Sequence, residues 1–427
     1  MSSRSTSAAQ GRPKQASASS RGGAVREATS PGQHESAGRM GAPLLPGATL
    51  GVLGGGQLGR MFVHAAQTMG YFTVVLDPHS DSPSGHASNH HICADYVDPA
   101  ALARLAGMCA GVTTEFENVP AAALRALAAA EGPQGQALAV RPSADVVAVA
   151  QDRAREKAHF AACGVPCAPY AVIDTRAQLE AVDARLLPGI LKTARLGYDG
   201  RGQVRVATRD ELARAWASLH QQPCVLEKML ALDYECSVIV ARGADGALVH
   251  LPPQRNLHRA GILAVTEVHE GNIPSASAER AIHAAKKIAN DLAYVGVLCV
   301  EFFVLQGGAL IVNEIAPRPH NSGHYSLDAC DVSQFELQVR ALAGLPLTQP
   351  RQHSSAIMLN LLGDLWAGGE PPWAQLLALP GVHLHLYGKA QARAGRKMGH
   401  LNVTAATPEQ ARATALRAAE ILGFAAF

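Results

Sequence analysis

"LGVLGGGQLGRMFVHAAQTMGYFTVVLDP", residues 50–78, sets the class of the fold. An apolar run ends in Gly54-x-Gly56-x-x-Gly59, a helical pattern follows, and a second apolar run ends at Asp77. This spacing predicts strands over 50–53 and 72–76 around a helix over 57–69, a βαβ unit with its glycines at the helix N-terminus. A dinucleotide such as NAD is one ligand for such a turn. The motif alone is weak support for it, because tight turning and close approach serve other ligands equally well.

Composition narrows the classes. The chain has 427 residues, enough for about two to four domains, and its net charge of +2 gives no basic footprint for nucleic acid. Aromatic residues make up only 5%, which also disfavours platforms for stacking bases. The eight cysteines are scattered without a C-x-x-C and read as reduced thiols. No apolar run approaches the roughly 20 residues of a membrane span.

Residues 1–47 are rich in Ser, Gly, Ala and Arg, lack apolar periodicity and read as a disordered tail. Their arginines and scarce acids also give the look of an organellar transit peptide, and Met40 offers an alternative start. From Leu50 strands and helices alternate. "GVTTEFENVP" (111–120) sets Glu115 and Glu117 at the carboxyl end of a strand, the edge where open α/β sheets bind ligands. The helix-rich "SADVVAVAQDRAREKAHFAACGVP" (143–166), with Ser143 as N-cap, reads as a junction. Beyond it, short apolar strands bounded by Gly, Pro or charge suggest antiparallel sheet, with an amphipathic helix in "SAERAIHAAKKIANDLAY" (277–294).

Chemistry concentrates in this second region. In "LKTARLGYDGRGQ" (191–203), Lys192 ends a strand and Gly197, Gly200 and Gly202 loosen the following loop. Its amides could cradle an anion with Lys192 and Arg201, or form an ordinary hairpin turn. Glu301 in "GVLCVEFFV" and Glu314 in "LIVNEIAPRPHNSGH" are acids within apolar strands, costly unless paired or metal-bound. Facing each other they would form an oxygen site for Mg²⁺, with Asn313 as a neutral ligand. Either acid alone could equally face solvent from an edge strand. The loop carrying Arg318, His320, Asn321 and His324 reads as an anion-orienting segment, since Asn321-Ser322-Gly323 is a poor helix for zinc. Glu227 and Lys228, opening "EKML", read either as a base-pairing hinge or as a structural turn.

The order Lys192, glycine loop, Glu227, Glu235, Glu301 and Asn313-Glu314 resembles the ATP-grasp superfamily. Within it the chain is similar to the 5-(carboxyamino)imidazole ribonucleotide synthase family over about residues 48–425, most specifically in "GGGQLGRM", "TTEFENVP", "GYDGRGQ", "NEIAPRPHNSGHYS" and "GRKMGHLN". The resemblance implies an α/β and α+β chain. It would comprise a Rossmann-like substrate-binding domain (48–150), the ATP-grasp small (151–225) and large (226–346) domains, and a small β-rich C-terminal domain (347–427).

The resemblance also implies roles. Arg153 and Lys192 would hold ATP phosphates under the loop Gly197, Tyr198, Asp199, Gly200, Arg201, Gly202 and Gln203. Glu227, Lys228, Met229, Leu230 and Glu235 would hold adenine and ribose, with His258 near the phosphates. Glu301 and Glu314 would bind Mg²⁺, or Mn²⁺ in its place, beside Asn313. The glycine turn would face the imidazole ribonucleotide through Gln57, Leu58 and Glu115 rather than NAD, with Tyr198, Asp199, Lys389 and Arg396 as further contacts. Arg318 and His320 would contact bicarbonate and carboxyphosphate; Asp199 and His320 are the candidates for taking the amine proton.

The implied reaction is ATP-dependent carboxylation of aminoimidazole ribonucleotide through carboxyphosphate. The implied setting is a cytoplasmic homodimer with a separate mutase as next enzyme. No mutase domain follows residue 427, unlike the fused plant and fungal enzymes, which weighs against the transit peptide. Leu196 departs from the glycine of many relatives and stiffens the loop entrance. A biotin carboxylase or a formate-dependent glycinamide ribonucleotide transformylase would share the grasp but differ in substrate.

Overall fold

The structure is a computed structural model that describes residues 42–195, 197 and 202–427. The opening βαβ unit forms as predicted, with strands Thr49–Leu53 and Phe72–Leu76 around helix Gln57–Thr68. Strands His90–Ile92, Gly111–Thr114 and Ala139–Val140 complete a five-stranded parallel sheet. Leu50, Val52 and Leu53 are fully buried, as both faces of a parallel sheet are covered. Each such side chain contributes about 1.5–3 kcal/mol. Strand order reverses at Thr49–Leu53, which pairs with Phe72–Leu76 on one side and Gly111–Thr114 on the other. The crevice at that switch point receives the glycine turn and Glu115.

The packed chain begins before the predicted boundary at 47. Leu44 donates its amide to the Ala343 carbonyl at 2.8 Å and accepts from the Tyr71 hydroxyl at 2.7 Å. Segment 143–166 divides into helices Ala144–Ala150 and Arg153–Ala162. The break has a local cause: the Asp152 carboxylate caps the second helix at the Ala154 and Arg155 amides. That cap puts Arg153 in the first turn.

A four-stranded antiparallel sheet follows, ordered Tyr170–Ile173, Cys224–Lys228, Gly189–Thr193, Gln203–Val206. Among the described residues the largest sheet has nine strands. Leu310–Ala316, Gly296–Leu305, Leu232–Arg242, Gln254–Arg259 and Ile262–Val268 run side by side. The C-terminal strands Ser355–Leu362, Lys397–Ala405 and Val382–Leu386 are not a sheet of their own; Ser355–Leu362 pairs with Ile262–Val268 and continues the ladder. The amphipathic helix Ser275–Asp291 covers one face, burying Ala281, Ala285 and Ile288.

The C-terminal strands are fastened to the polar loop after Glu314. Asn402 donates to the His324 carbonyl at 3.0 Å and to Asp328 at 2.6 Å, and the His400 ring lies between His324 (4.6 Å) and His385 (4.5 Å). That docking fixes where the segment carrying Lys389 and Arg396 stands.

Candidate active site

The glycine turn settles what it does not bind. Gly54 has φ +114°, and a Cβ there would stand 2.2 Å from the Glu115 side chain. The Glu115 carboxylate accepts from the Gly56 amide at 2.5 Å and the Gly59 amide at 2.7 Å, while Asp77 accepts from Gly55 at 2.8 Å. The amides that would cradle a pyrophosphate at this helix N-terminus are occupied by two of the protein's own carboxylates. The Gly55, Gly56 and Gly59 amides are therefore closed to the pyrophosphate of a dinucleotide.

A cavity of about 820 Å³ opens beside this turn. Gln57, Leu58 and Glu115 line it from the first sheet, Arg153 and Gly197 from the junction and small sheet. Glu301, Glu314, Arg318 and His320 line it from the large sheet, and Lys389 and Arg396 from the C-terminal segment. Residues distant in sequence thus meet at one polar cleft.

Glu301 and Glu314 stand directly opposite each other in the antiparallel ladder, the first of the two arrangements the sequence leaves open. The register then slips so that Phe302 faces Val312, leaving Asn313 as the extra residue of a bulge. The Asn313 side-chain oxygen is buried without a hydrogen-bond partner. Burial and the facing Glu314 push the Glu301 carboxyl up to about 7. Burial would raise Glu314 also, but Arg153, 3.0 Å away, and Lys192 bring it below the usual carboxylate range. Two facing acids, one short of counter-charge, and an unsatisfied amide oxygen suit a hard divalent cation. The His320 Nε2 lies 3.0 Å from Glu301, and burial with Arg318 nearby holds its imidazole well below the usual range, hence neutral.

Arg318 is held by Glu117 at 2.5 Å. Burial would raise the Glu117 carboxyl, but Arg318 overrides it and keeps the group ionised below its ordinary range. Because the folded value is depressed, the pair's contribution is full above the unfolded value of about 4.3 and is lost as pH falls through the folded one. Glu117→Gln is therefore expected to cost about 3 kcal/mol at pH 7. The gap from wild type should close below about pH 4, as read from denaturant melts across pH. A gap independent of pH would mean the pair is not ionised.

The other sequence-derived residues lie in adjoining clusters. Glu235 pairs with His258 at 2.6 Å. Burial would lower that imidazole, yet Glu235 and Glu301 hold it above its usual value. Glu227 is buried, with Lys192 at 3.0 Å and Lys157 at 3.2 Å. In the segment after it, the Lys228 and Met229 amides are already bonded to the Pro169 and Pro188 carbonyls, and Leu230 follows half-buried. Gly202 (φ +69°) and Gln203 close the hairpin with Lys192. Leu196, Tyr198, Asp199, Gly200 and Arg201 lie outside the described residues.

Sequence reasoning missed Glu117 as the partner of Arg318, and Glu156 and Lys157 on the Arg153 helix. Glu156 is buried, accepts from the Ile315 amide at 2.7 Å and is pushed up to about 8 by burial and by Glu314. The signal existed: positions three and four after Arg153 share its helix face. Asn321 is buried against the cavity with neither side-chain polar atom partnered, although the sequence marked it only as part of a polar loop.

A nucleotide-sized cleft between a small antiparallel sheet and a large one, floored by facing acids and walled by Arg153, defines an ATP-grasp ligase. Residues 158–335 match the ATP-grasp domain family, 47–151 the ribonucleotide synthetase preATP-grasp domain, and 356–414 the phosphoribosylaminoimidazole carboxylase C-terminal domain. The N5-carboxyaminoimidazole ribonucleotide synthase of Brucella melitensis is 44% identical over 84% of this chain and 96% of its own length. A crystal structure of an N5-carboxyaminoimidazole ribonucleotide synthetase in its ADP complex matches with a TM-score of 0.82 at 38% identity, over 90% of this chain and 99% of that one. The Aspergillus clavatus synthase, solved with ADP and 5-aminoimidazole ribonucleotide, matches with a TM-score of 0.79 at 31% identity, over 88% and 99%. The chain belongs to the N5-carboxyaminoimidazole ribonucleotide synthase family.

Proposed function

We propose that this chain carboxylates the exocyclic amine of 5-aminoimidazole ribonucleotide, using bicarbonate and ATP. A bicarbonate oxygen attacks the γ-phosphorus, the bond to the β-phosphate oxygen breaks, and ADP leaves. The resulting carboxyphosphate divides into phosphate and CO₂; the amine then bonds to that carbon and gives up a proton as the carbamate forms. The observation that carries this reading is the cleft itself. The first sheet's switch point, the facing acids and the Lys389–Arg396 segment line one cavity of about 820 Å³.

Arg153 and Lys192 bind the nucleotide phosphates, and Arg318, braced by Glu117, orients bicarbonate and the carboxyphosphate formed from it. The donor set of Glu301, Glu314 and Asn313 fits Mg²⁺ or Mn²⁺, which when bound offsets charge on the transferring phosphoryl group. His320, whose Nε2 lies 3.0 Å from Glu301, and Asp199 are the two candidates for taking the amine proton. Closure of the cleft keeps water from the intermediate. Homodimeric assembly in the cytoplasm and a separate mutase acting on the product are carried as expectations of the family. Among the described residues no helix is long and apolar enough to cross a membrane.

ADP release measured with and without aminoimidazole ribonucleotide and bicarbonate tests the reaction. Release that needs both supports it; release driven instead by biotin or by glycinamide ribonucleotide with formate transfers the chain to a rival chemistry.

The substrate phosphate is read by Lys389 and Arg396. Arg396 is half-buried, lines the cavity and donates to the Gln391 carbonyl at 2.7 Å, while Lys389 donates to the Lys397 carbonyl at 2.7 Å. Arg396→Ala is expected to raise the ribonucleotide KM about tenfold, the worth of one charge-assisted contact, and to leave the Kd for ATP nearly intact. Equal weakening of ATP binding would put this segment at the wrong ligand.

A further inference from the structure

Glu227 is served by two lysines, one more cation than a buried carboxylate needs. Its side chain is 5% exposed, that of Lys157 1% and that of Lys192 8%. Lys192 makes a hydrogen bond to Oε2 at 3.0 Å. Lys157 faces Oε1 at 3.2 Å, yet neither of those two atoms has an aligned hydrogen-bond partner. The two lysines also come from different places. Lys192 is near the end of strand Gly189–Thr193, whose partner Cys224–Lys228 sets Ile190 opposite Glu227, so Lys192 reaches it diagonally on the same sheet face. Lys157 comes from helix Arg153–Ala162, with the Tyr170 ring 5.9 Å from its ammonium group.

These positions differ in what each lysine can do next. The chain after Lys192 runs through Ala194 to Gly197, both on the cavity wall. Lys157 is walled in. If Lys192 turned to a phosphate with no other cation at Glu227, a buried carboxylate would be left bare, which is strongly unfavourable. With Lys157 in place the carboxylate keeps a partner, one that already faces it with an unused donor.

We propose that Lys157 is the standing counter-ion of Glu227, and that it frees Lys192 to leave that carboxylate for the phosphates of a bound nucleotide. The inference rests on the reading of Lys192 as a phosphate ligand. It assigns Lys157 as a positioning residue that touches no substrate, and it makes Glu227 a holder of Lys192 between turnovers. Before nucleotide arrives the trio carries one buried positive charge in excess, which an incoming phosphate relieves. Afterwards Glu227 and Lys157 are left as a neutral pair.

The test uses the full chain, with Mg·ADP as probe, by calorimetric titration and by melting of the unliganded protein. Lys157→Met leaves Glu227 and Lys192 as a one-to-one pair, so the unliganded variant should melt at or above the wild-type temperature. Its Kd for Mg·ADP should rise about tenfold or more, because Lys192 cannot leave. The ATP KM should rise with it, and kcat at saturating ATP should change less. Adding Glu227→Gln to Lys157→Met releases Lys192 and should bring the Kd back to within about threefold of wild type. Lys192→Met is the control for the underlying reading. If it binds Mg·ADP normally, Lys192 is no phosphate ligand and the proposal falls with that reading. If Lys192→Met binds weakly but Lys157→Met binds normally, or melts well below wild type, or is not rescued by Glu227→Gln, the counter-ion role alone is overturned.

Discussion

Glu314→Gln is expected to slow ATP-dependent phosphoryl transfer by ~10²-fold or more, since metal clamping of a transferring phosphoryl group is worth several kcal/mol. The unliganded fold should survive the change. Three local effects oppose one another. The Arg153 guanidinium, 3.0 Å from Glu314, loses a charged partner but keeps an amide oxygen to bond. The Glu301 and Glu156 carboxyls, both pushed up by burial and then by Glu314, are relieved of a like charge. The net effect on stability should lie within about 1 kcal/mol of zero. Aminoimidazole ribonucleotide should still bind through Gln57, Lys389 and Arg396, which stand on other elements. Steady-state ADP release across a Mg²⁺ titration, paired with a melt of the metal-free protein, gives the answer. Normal turnover at limiting Mg²⁺, or collapse of the unliganded variant, would make Glu314 a structural acid and remove the metal site with it.

That site was half legible in the sequence. The sequence offers Glu301 and Glu314 as acids in two neighbouring apolar strands and leaves open whether they meet; the ladder pairs them. The bulge that brings Asn313 beside them could not be read, because an extra residue in one strand is defined only against its partner. The glycine turn shows the same limit at the level of the ligand. Its spacing fixed a strand, a tight turn and a helix, and those formed. Which group its amides would bind depended on Asp77 and Glu115, which lie 22 and 56–59 residues further along the chain and are brought in only by sheet pairing. Lys157 is illegible for a different reason. Four residues after Arg153 it shares that residue's helix face, but its carboxylate, Glu227, stands on a distant strand and meets it only in the folded chain. The C-terminal segment is β-rich, as its short apolar runs suggest. That its strands continue the large sheet follows from the pairing of Ser355–Leu362 with Ile262–Val268, a contact no local pattern encodes.

Arg318→Lys is expected to have the largest effect on chemistry, a fall of about 10²–10³-fold in bicarbonate-dependent ADP release, the usual cost of removing one donor to a developing anion. The substitution keeps a cation for Glu117, so the buried carboxylate is not stranded and the fold is retained. What it removes is the planar fork. Arg318 spends its Nε on Glu117 at 2.5 Å and one terminal nitrogen on the Pro319 carbonyl at 3.1 Å, which holds the guanidinium rigid on the cavity wall. A lysine has a single nitrogen; pairing with Glu117 uses it, and no second donor is left in a fixed plane for bicarbonate or carboxyphosphate. The loss should therefore fall on kcat and on the KM for bicarbonate, with the Kd for Mg·ADP nearly unchanged, because the proposed nucleotide contacts lie on Arg153, Lys192 and the segment after Glu227. The assay is ADP release over a bicarbonate titration, with calorimetric binding of Mg·ADP and a melting curve as controls. If Arg318→Lys turns over within about twofold of wild type, the guanidinium serves only to brace Glu117, and the orientation of bicarbonate must pass to His320 or to the unpartnered Asn321 beside it.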